Sequence, residues 1–346
     1  MKAHAFVITL GVVLLAIVVP LGMLSKAQDK KGEQRSAISD YRLSGPFTHK
    51  NLTIFLIHGK SVVVTKKFIT LQEALVQKKV VVYETKTVNE LAIENLSDED
   101  VYVQSGDIVK GGQQDRMMAV DLIVPPKSGR MPIAAFCVEH GRWSKRASER
   151  VEVFSSSAEV ASTKDLKLAA KSARSQGEVW ANVTVAQDKL SQNVSETVNS
   201  SQSASSLQLS LENKKVMETA DAYIKALSGI TSGKNDVIGY VFAINGKLNS
   251  ADVYGSSELF KKLWPKLLKA NAVEAIAELQ KDKFKPASAE QAKAFLTEAE
   301  SGRAAEKNVT GRVKLVTRED SKNIFFETRD EAQQGAWVHR NYIKKE

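Results

Sequence analysis

Two glycine-bearing turns hold most of the residues in this chain that could do chemistry. The first, Gly111-Gly112-Gln113-Gln114-Asp115-Arg116, places two glycines ahead of an amide pair, a carboxylate and an arginine. Successive backbone N–H groups in such a turn can form a concavity for an anion, and an adjacent arginine can clamp a phosphate or carboxylate with its planar fork. The second lies in Phe136-Cys137-Val138-Glu139-His140-Gly141-Arg142-Trp143, where an arginine and an aromatic ring together can grip an anionic, planar ligand. Gly111, Gly112, Gln114, Asp115, Arg116, Glu139, Arg142 and Trp143 are therefore the candidate ligand-binding residues. The competing reading is a glycine-bulged hairpin in which Asp115 and Arg116 only shape the turn, with Arg142 a surface residue beside a half-buried Trp143.

Several chemistries are excluded by what is missing. The first turn lacks the Gly-Lys-Ser/Thr ending of a P-loop. No helical pattern follows it, so it is not a dinucleotide fingerprint. Cys137, the single cysteine, sits in an apolar run and reads as a small buried hydrophobe; as a nucleophile it would need a base and an activating environment. His49, His58, His140 and His339 show no paired zinc spacing with it, and neither a metal nor a cofactor is called for. Glu178, near the start of a predicted helix, has a sufficient structural role in the favourable field of the helix N-terminus. It could serve as a general base only if the fold brought up a second carboxylate, and Asp121, Asp252 and Glu139 are the candidates. No catalytic residue is assigned.

The elements that must position these groups are legible from pattern. Leu52–Ile57, Ser61–Thr65, Val80–Glu84, Val88–Glu94, Val101–Val103, Ile108–Val109, Met117–Val124 and Met131–Val138 read as strands, with a short helix opened by a capping box at Thr70–Glu73. Their short spacing suggests an antiparallel sheet or sandwich. Beyond Arg150 the pattern turns helical at Lys164–Ala173, Gly177–Leu190 and Glu212–Leu227, stretches that could pair as an inserted helical hairpin. Ser191–Ser210, rich in serine, reads as a flexible connection or a solvated helix end. Asn245-Gly246 is the preferred pair for a two-residue hairpin turn between Val237–Asn245 and Ser250–Tyr254. A helix from Ser257 contains Pro265, which should kink or divide it. Another begins at the capping box Ser288–Gln291, and Val309–Val316, Asn323–Thr328 and Ala336–His339 close the chain as strands. Segregated strand and helix blocks define an α+β fold with a β-rich N-terminal part and a hairpin-helix-strand C-terminal part.

The ends bound the location. Ala5 to Leu24 runs without a charge behind a short basic start, and Ser25-Lys26-Ala27 presents small residues at the positions a signal peptidase reads. Residues 1–27 are therefore expected to be a signal peptide or an N-terminal membrane anchor, engaging the membrane or secretion machinery, with the protein exported to a periplasmic or extracellular location. No cysteine lies near residue 27, which argues against a lipoprotein. Residues 28–50 are polar and read as a tether, and 51–346 as a single α+β domain. Loss of Lys2 and Lys26 would lower the formal charge from +9 to +7. The remaining lysines are scattered and lack aromatic interleaving, so no nucleic acid partner is expected. One cysteine forms no internal disulfide, and a chain this long buries an adequate core without one.

Five separated blocks carry a family resemblance. They are Gly106–Arg116, Val124–Gly129, Phe136–Trp143, Gln176–Trp180 and Leu259–Leu268. Together they resemble the bacterial ARG and Rhodanese-Phosphatase-superfamily-associated Protein domain, from about Asn51 to the C-terminus. The family's function is unassigned. Its name implies association with ADP-ribosylglycohydrolase-like and phosphatase-like proteins, and hence phosphate-bearing nucleotide derivatives. Two readings follow: a binding module or enzyme for a small anionic ligand, or a non-enzymatic envelope module for structure or partner contacts. Convergence of the two turns on one concave site would favour the first.

Overall fold

A computed structural model describes residues 41–63, 67–161 and 163–345. These belong to one compact unit, Ser36–Glu346. The apolar run 5–24, the cleavage position and most of the expected tether lie outside the described residues. Among the described residues no helix is long and apolar enough to cross a membrane.

The run Leu52–Ile57 is apolar at almost every position because its strand is covered on both faces. It forms β2 (Leu52–His58), buried throughout. Leu52, Ile54 and Leu56 join one core cluster, while Phe55 and Ile57 join another on the opposite face. The same division runs along β12 (Val237–Ile244), with Tyr240 and Phe242 on one side and Val241 and Ala243 on the other. These strands lie in an eight-stranded antiparallel sheet. Its order is β1 (Arg42–His49), β2, β12, β13 (Lys247–Tyr254), β17 (Ala336–Lys344), β16 (Asn323–Asp330), β15 (Val313–Glu319) and β14 (Arg303–Asn308). On the first face pack α3 (Gln176–Val194), α5 (Lys214–Leu227) and α6 (Ser257–Ala277), through Val183, Tyr223 and Leu263 among others. On the second packs α7 (Ala289–Glu300), through Phe295 and Leu296.

The N-terminal β-rich part supplies two further sheets. A six-stranded sheet runs β11 (Phe154–Val160), β7 (Asp107–Gly111), β8 (Arg116–Met118), β10 (Arg130–Cys137), β5 (Glu90–Asn95) and β4 (Val80–Thr87). A three-stranded sheet joins β3 (Phe68–Thr70), β6 (Asp100–Val103) and β9 (Leu122–Val124), with β3 and β6 parallel. The fold is α+β.

Local signals act as their chemistry requires. Both capping boxes are made, at Thr70–Glu73 for α1 (Leu71–Val76) and at Ser288–Gln291 for α7. Asn245 and Gly246 turn β12 into β13 with φ of 51° and 75°. Pro265 lies inside α6, which continues as one element from Ser257 to Ala277. The helix is buried from Lys266 to Ala277 save for Lys269, so tertiary packing offsets the backbone bond that proline cannot donate.

Three expectations are corrected. The tether does not reach residue 50: Arg42–His49 pairs with β2 as an edge strand, and partly exposed edge strands carry the polar sequence that suggests a linker. Residues 61–63 form no strand; Val62 and Val63 instead donate their N–H groups to the Gly255 carbonyl. The serine-rich stretch 191–210 is packed. α3 continues through Val194, Val198 is buried, and Ser206 caps α4 (Leu207–Leu211) through a hydroxyl that accepts from the Leu209 N–H at 3.1 Å. Gln187 ties the segment down by donating to the carbonyls of Ala204 and Ser206 and to the Ser210 hydroxyl. Small hydroxyl side chains here serve as caps and internal hydrogen-bond partners, which composition does not distinguish from a solvated linker.

Candidate functional site

β7 and β8 hold the Gly111–Arg116 turn, and β10 delivers Glu139 and Arg142 from the neighbouring position in the same sheet. The two turns meet. Arg142 donates to the carbonyl oxygens of Gly112 at 3.3 Å and Gly111 at 3.4 Å, and to both oxygens of Glu139 at 2.7 and 2.6 Å. Glu139 in turn accepts the Asp115 N–H at 3.1 Å. Gly112 has φ of +58°, and a Cβ there would lie 2.3 Å from the Phe154 ring, so only glycine fits.

The turn presents its N–H groups to carboxylates, and the chain itself supplies them. Gly111 N–H donates to Asp115 Oδ1, Gln113 N–H to Glu84 Oε2, and Asp115 N–H to Glu139 Oε2. Arg116 is fully buried, 3.4 Å from Glu84, with its guanidinium 5.6 Å from the ring centroid of Trp143. Its NH1 donates to the Gln114 carbonyl, the route by which Gln114 enters the cluster. Trp143 is 47% exposed and covers this guanidinium from the solvent side. A third arginine completes the cluster: Arg146 donates to both oxygens of Asp115 at 2.9 and 3.0 Å and to Glu149 at 2.8 Å. Ser206 donates to Asp115 Oδ2 at 2.9 Å and so fastens the serine-rich segment to the turn. Burial alone would raise the Glu139 carboxyl, but hydrogen bonds from Arg142 and the Asp115 N–H hold it below its ordinary range. Three guanidinium groups thus face four carboxylates, Glu84, Asp115, Glu139 and Glu149. The arrangement is a charge-paired latch.

Cys137 ends β10 inside this region. Its Sγ lies 3.5 Å from the Val88 carbonyl oxygen, and burial pushes the thiol up to about 11. Such a thiol stays protonated at neutral pH and is a poor nucleophile. Glu178 is exposed at the start of α3, where its N–H is capped by Ser175 at 3.2 Å.

A second cluster gathers residues from four distant parts of the chain. His339 on β17 is buried, with Nδ1 2.7 Å from Asp121 Oδ2 and Nε2 3.0 Å from Asp252 Oδ1. The β13–β17 register sets Asp252 opposite Asn341 and Tyr254 opposite His339. The Tyr254 ring stacks on the imidazole at 4.6 Å. Asp121 also accepts from the Ser105 N–H and the Thr328 hydroxyl, both at 2.7 Å. Asp252 accepts from Asn341 Nδ2 at 2.8 Å and the Tyr240 hydroxyl at 2.9 Å. Burial opposes ionisation of all three groups. The two carboxylates nevertheless raise His339 above its ordinary value, and His339 with its hydrogen bonds lowers both aspartates.

Lys171 lies beside this array. It sits in the π-helical turn Ala169–Ala173, and its Nζ donates to Asn341 Oδ1 at 2.8 Å and lies 4.7 Å from the Phe326 ring centroid. Asn341 is its one hydrogen-bond partner among the described residues. Lys171 lines two small cavities. One, of about 20 Å³, is bounded by Lys167, Asp252, Asn271 and His339. That is room for about one water. Asn271 is fully buried and its Nδ2 has no partner. The other, of about 10 Å³, touches Asp121, Lys171 and Phe326, and shares Val120, Arg174 and Val309 with an open groove of about 260 Å³. Lys307 and Glu90 line that groove. Arg174, left-handed at φ 51°, and Lys307 are exposed.

The comparison with protein families now bears on the whole fold. The model of the ARPP-1 domain, the ARG and Rhodanese-Phosphatase-superfamily-associated Protein domain, matches residues 40–343. The chain belongs to the ARPP-1 family. No curated protein and no solved structure matches it. The match spans both the latch and the His339 cluster, and it begins at β1, within the segment that composition assigned to a tether. For this ARPP-1 chain, sequence reasoning singled out the latch residues and raised Asp121 and Asp252 as partners of Glu178. The fold pairs those aspartates with His339 instead. Arg146, Glu84, Ser206 and Lys171 were missed. Glu84 closes an apolar strand run and the others read as ordinary surface charge or polarity, and only strand register and loop closure bring them inward.

Proposed function

We propose that this ARPP-1 chain binds a small anionic ligand, of the phosphate or nucleotide-derivative class, in the groove that leads to Lys171. The observation that carries the reading is Lys171 itself: a lysine with a single hydrogen-bond partner, lining two cavities below a groove bearing Arg174 and Lys307. Burial lowers its pKa, although Asp121 and Asp252 oppose this. An arriving anion would relieve that desolvation. The latch, by contrast, already fills its donors with the chain's own carboxylates, so an external anion there would have to displace one.

Binding is favoured over hydrolysis. Both ring nitrogens of His339 are engaged and every oxygen of Asp121 and Asp252 accepts a hydrogen bond. The array fixes a charge pattern beneath the ligand and leaves no free base to take a substrate proton. The test is calorimetric titration with inorganic phosphate, ADP-ribose and simple sugar phosphates. A hydrogen bond to a charged group is worth about 1.5–3 kcal/mol, so Lys171→Met should weaken binding about tenfold or more. Arg174→Ala should weaken it and Arg174→Lys restore it in part, because lysine lacks the planar fork. Absence of binding to all of these by the wild type would overturn the reading. The uncharged run 5–24 supports export as part of the same proposal; a mature N-terminus at Gln28 would identify it as a cleaved signal, and full-length protein in the cytoplasm would contradict export.

A further inference from the structure

The far end of α6 borders a different cavity, of about 220 Å³, lined by Glu274 and Glu278. Its polar lining differs in kind from that around Lys171. Glu274 is 1% exposed. Its Oε1 accepts from the Lys164 N–H at 2.7 Å and from Asn249 Nδ2 at 2.9 Å, while Oε2 has no partner. Asn245, in the β12–β13 turn, donates its amide to the Glu278 carbonyl at 2.6 Å, and its Oδ1 is likewise buried without a partner. Two buried, unsatisfied acceptors therefore belong to residues that line one cavity, and a buried unpaired acceptor costs about 1–3 kcal/mol. They stand at the C-terminal end of a 21-residue helix, where the macrodipole favours positive charge. Burial, more than any neighbour, raises Glu274, with the charge of Lys167 opposing.

The rim is of mixed charge. Lys164 and Lys247 line the cavity with no carboxylate partner among the described residues, the exposed Asp165 lines it beside Lys164, and Lys189 is paired with Glu278 at 2.5 Å. A bare cation would meet these two ammonium groups on entry. A molecule with an acidic group beside its amine would match both.

We propose that this cavity binds a small zwitterion of the free amino-acid type, its ammonium group donating to Glu274 Oε2 and Asn245 Oδ1 and its carboxylate facing Lys164 and Lys247. The site is separate from the anion groove and stands or falls independently of it.

The test uses the full chain and the common free amino acids, each compared with its N-acetyl derivative, by calorimetry and ligand-detected NMR. At least one free amino acid should bind, and acetylation of its amine should abolish binding. Glu274→Gln, which keeps the side-chain shape, should lower affinity tenfold or more. Lys247→Ala, at an exposed rim position, should lower it several-fold with the melting temperature unchanged. Failure of every free amino acid to bind would overturn the proposal, as would equal binding of the N-acetyl forms. The ligand comparison decides the matter even if Glu274→Gln does not fold.

Discussion

Asp115→Ala tests whether the glycine-turn cluster is a latch. Asp115 is fully buried and accepts from Gly111 N–H, from both terminal nitrogens of Arg146 and from Ser206 Oγ, all within 3.0 Å. Its removal leaves the Arg146 guanidinium, itself nearly buried, with Glu149 at 2.8 Å and Glu139 at 3.4 Å. Breaking a buried ion pair from one side typically costs 3–5 kcal/mol, and the two remaining carboxylates place this case at about 3. With about 2.1 cal/mol/K of unfolding entropy per residue, a domain of this size should melt roughly 5 °C lower. Differential scanning calorimetry and urea unfolding measure the loss directly. The double variant with Arg146→Met should recover part of it, because no charge is then stranded, and that non-additivity distinguishes the pair from two independent defects. Phosphate affinity should be unchanged wherever the variant is folded. A melt within about 1 °C of wild type, or loss of ligand binding at wild-type stability, would refute the latch and restore an anion-site reading for these arginines.

His339 is raised above its ordinary value of 6.5 in the folded state, so its stabilising contribution is complete below that pH and is lost as pH rises through the raised value; Asp121 and Asp252, lowered from 3.8, contribute above that pH and lose their effect as pH falls through their folded values. Stability measured against pH should therefore decline as pH rises above 6.5 through the raised His339 value, and His339→Gln should flatten that limb; a wild-type profile without the decline would contradict the charged array. Gly239→Ala would set a Cβ 2.2 Å from the Asp252 carbonyl oxygen and 2.8 Å from Val253 Cα, forcing β12 from β13 at a cost of about 3 kcal/mol, readable as a lowered urea midpoint. Cys137→Ser should cost only about 1 kcal/mol, because the hydroxyl can donate to the Val88 carbonyl, and the native thiol should resist a disulfide reagent at neutral pH until the protein unfolds.

The parts of the fold that were legible in the sequence are those governed by local chemistry. The capping boxes at Thr70 and Ser288, the Asn245-Gly246 turn and the doubly covered strand Leu52–Ile57 depend on neighbours in the chain and formed as their residue types require. The glycine turn was legible as a nest of N–H groups, and it does hold anions, but they are Glu84, Asp115 and Glu139. The identity of those anions depends on which strands become neighbours, which no window of sequence records. Asp121, Asp252 and His339 lie between 87 and 218 residues apart, joined by the β13–β17 register and the packing of one sheet on another. The serine-rich segment was misjudged for a related reason: the bonds that order it run to Asp115 and Gln187, far away in sequence.

The central claim is that an external anion binds beside Lys171 and not in the arginine latch. A crystal soaked with tungstate, a tetrahedral oxyanion that stands in for phosphate and scatters anomalously, locates the site without assuming it. The account predicts an anomalous peak within reach of Lys171, Arg174 and Lys307, lost in Lys171→Met. A peak on Arg116 or Arg142 with the Asp115 and Glu139 contacts displaced, or no peak at any of these residues, would contradict it.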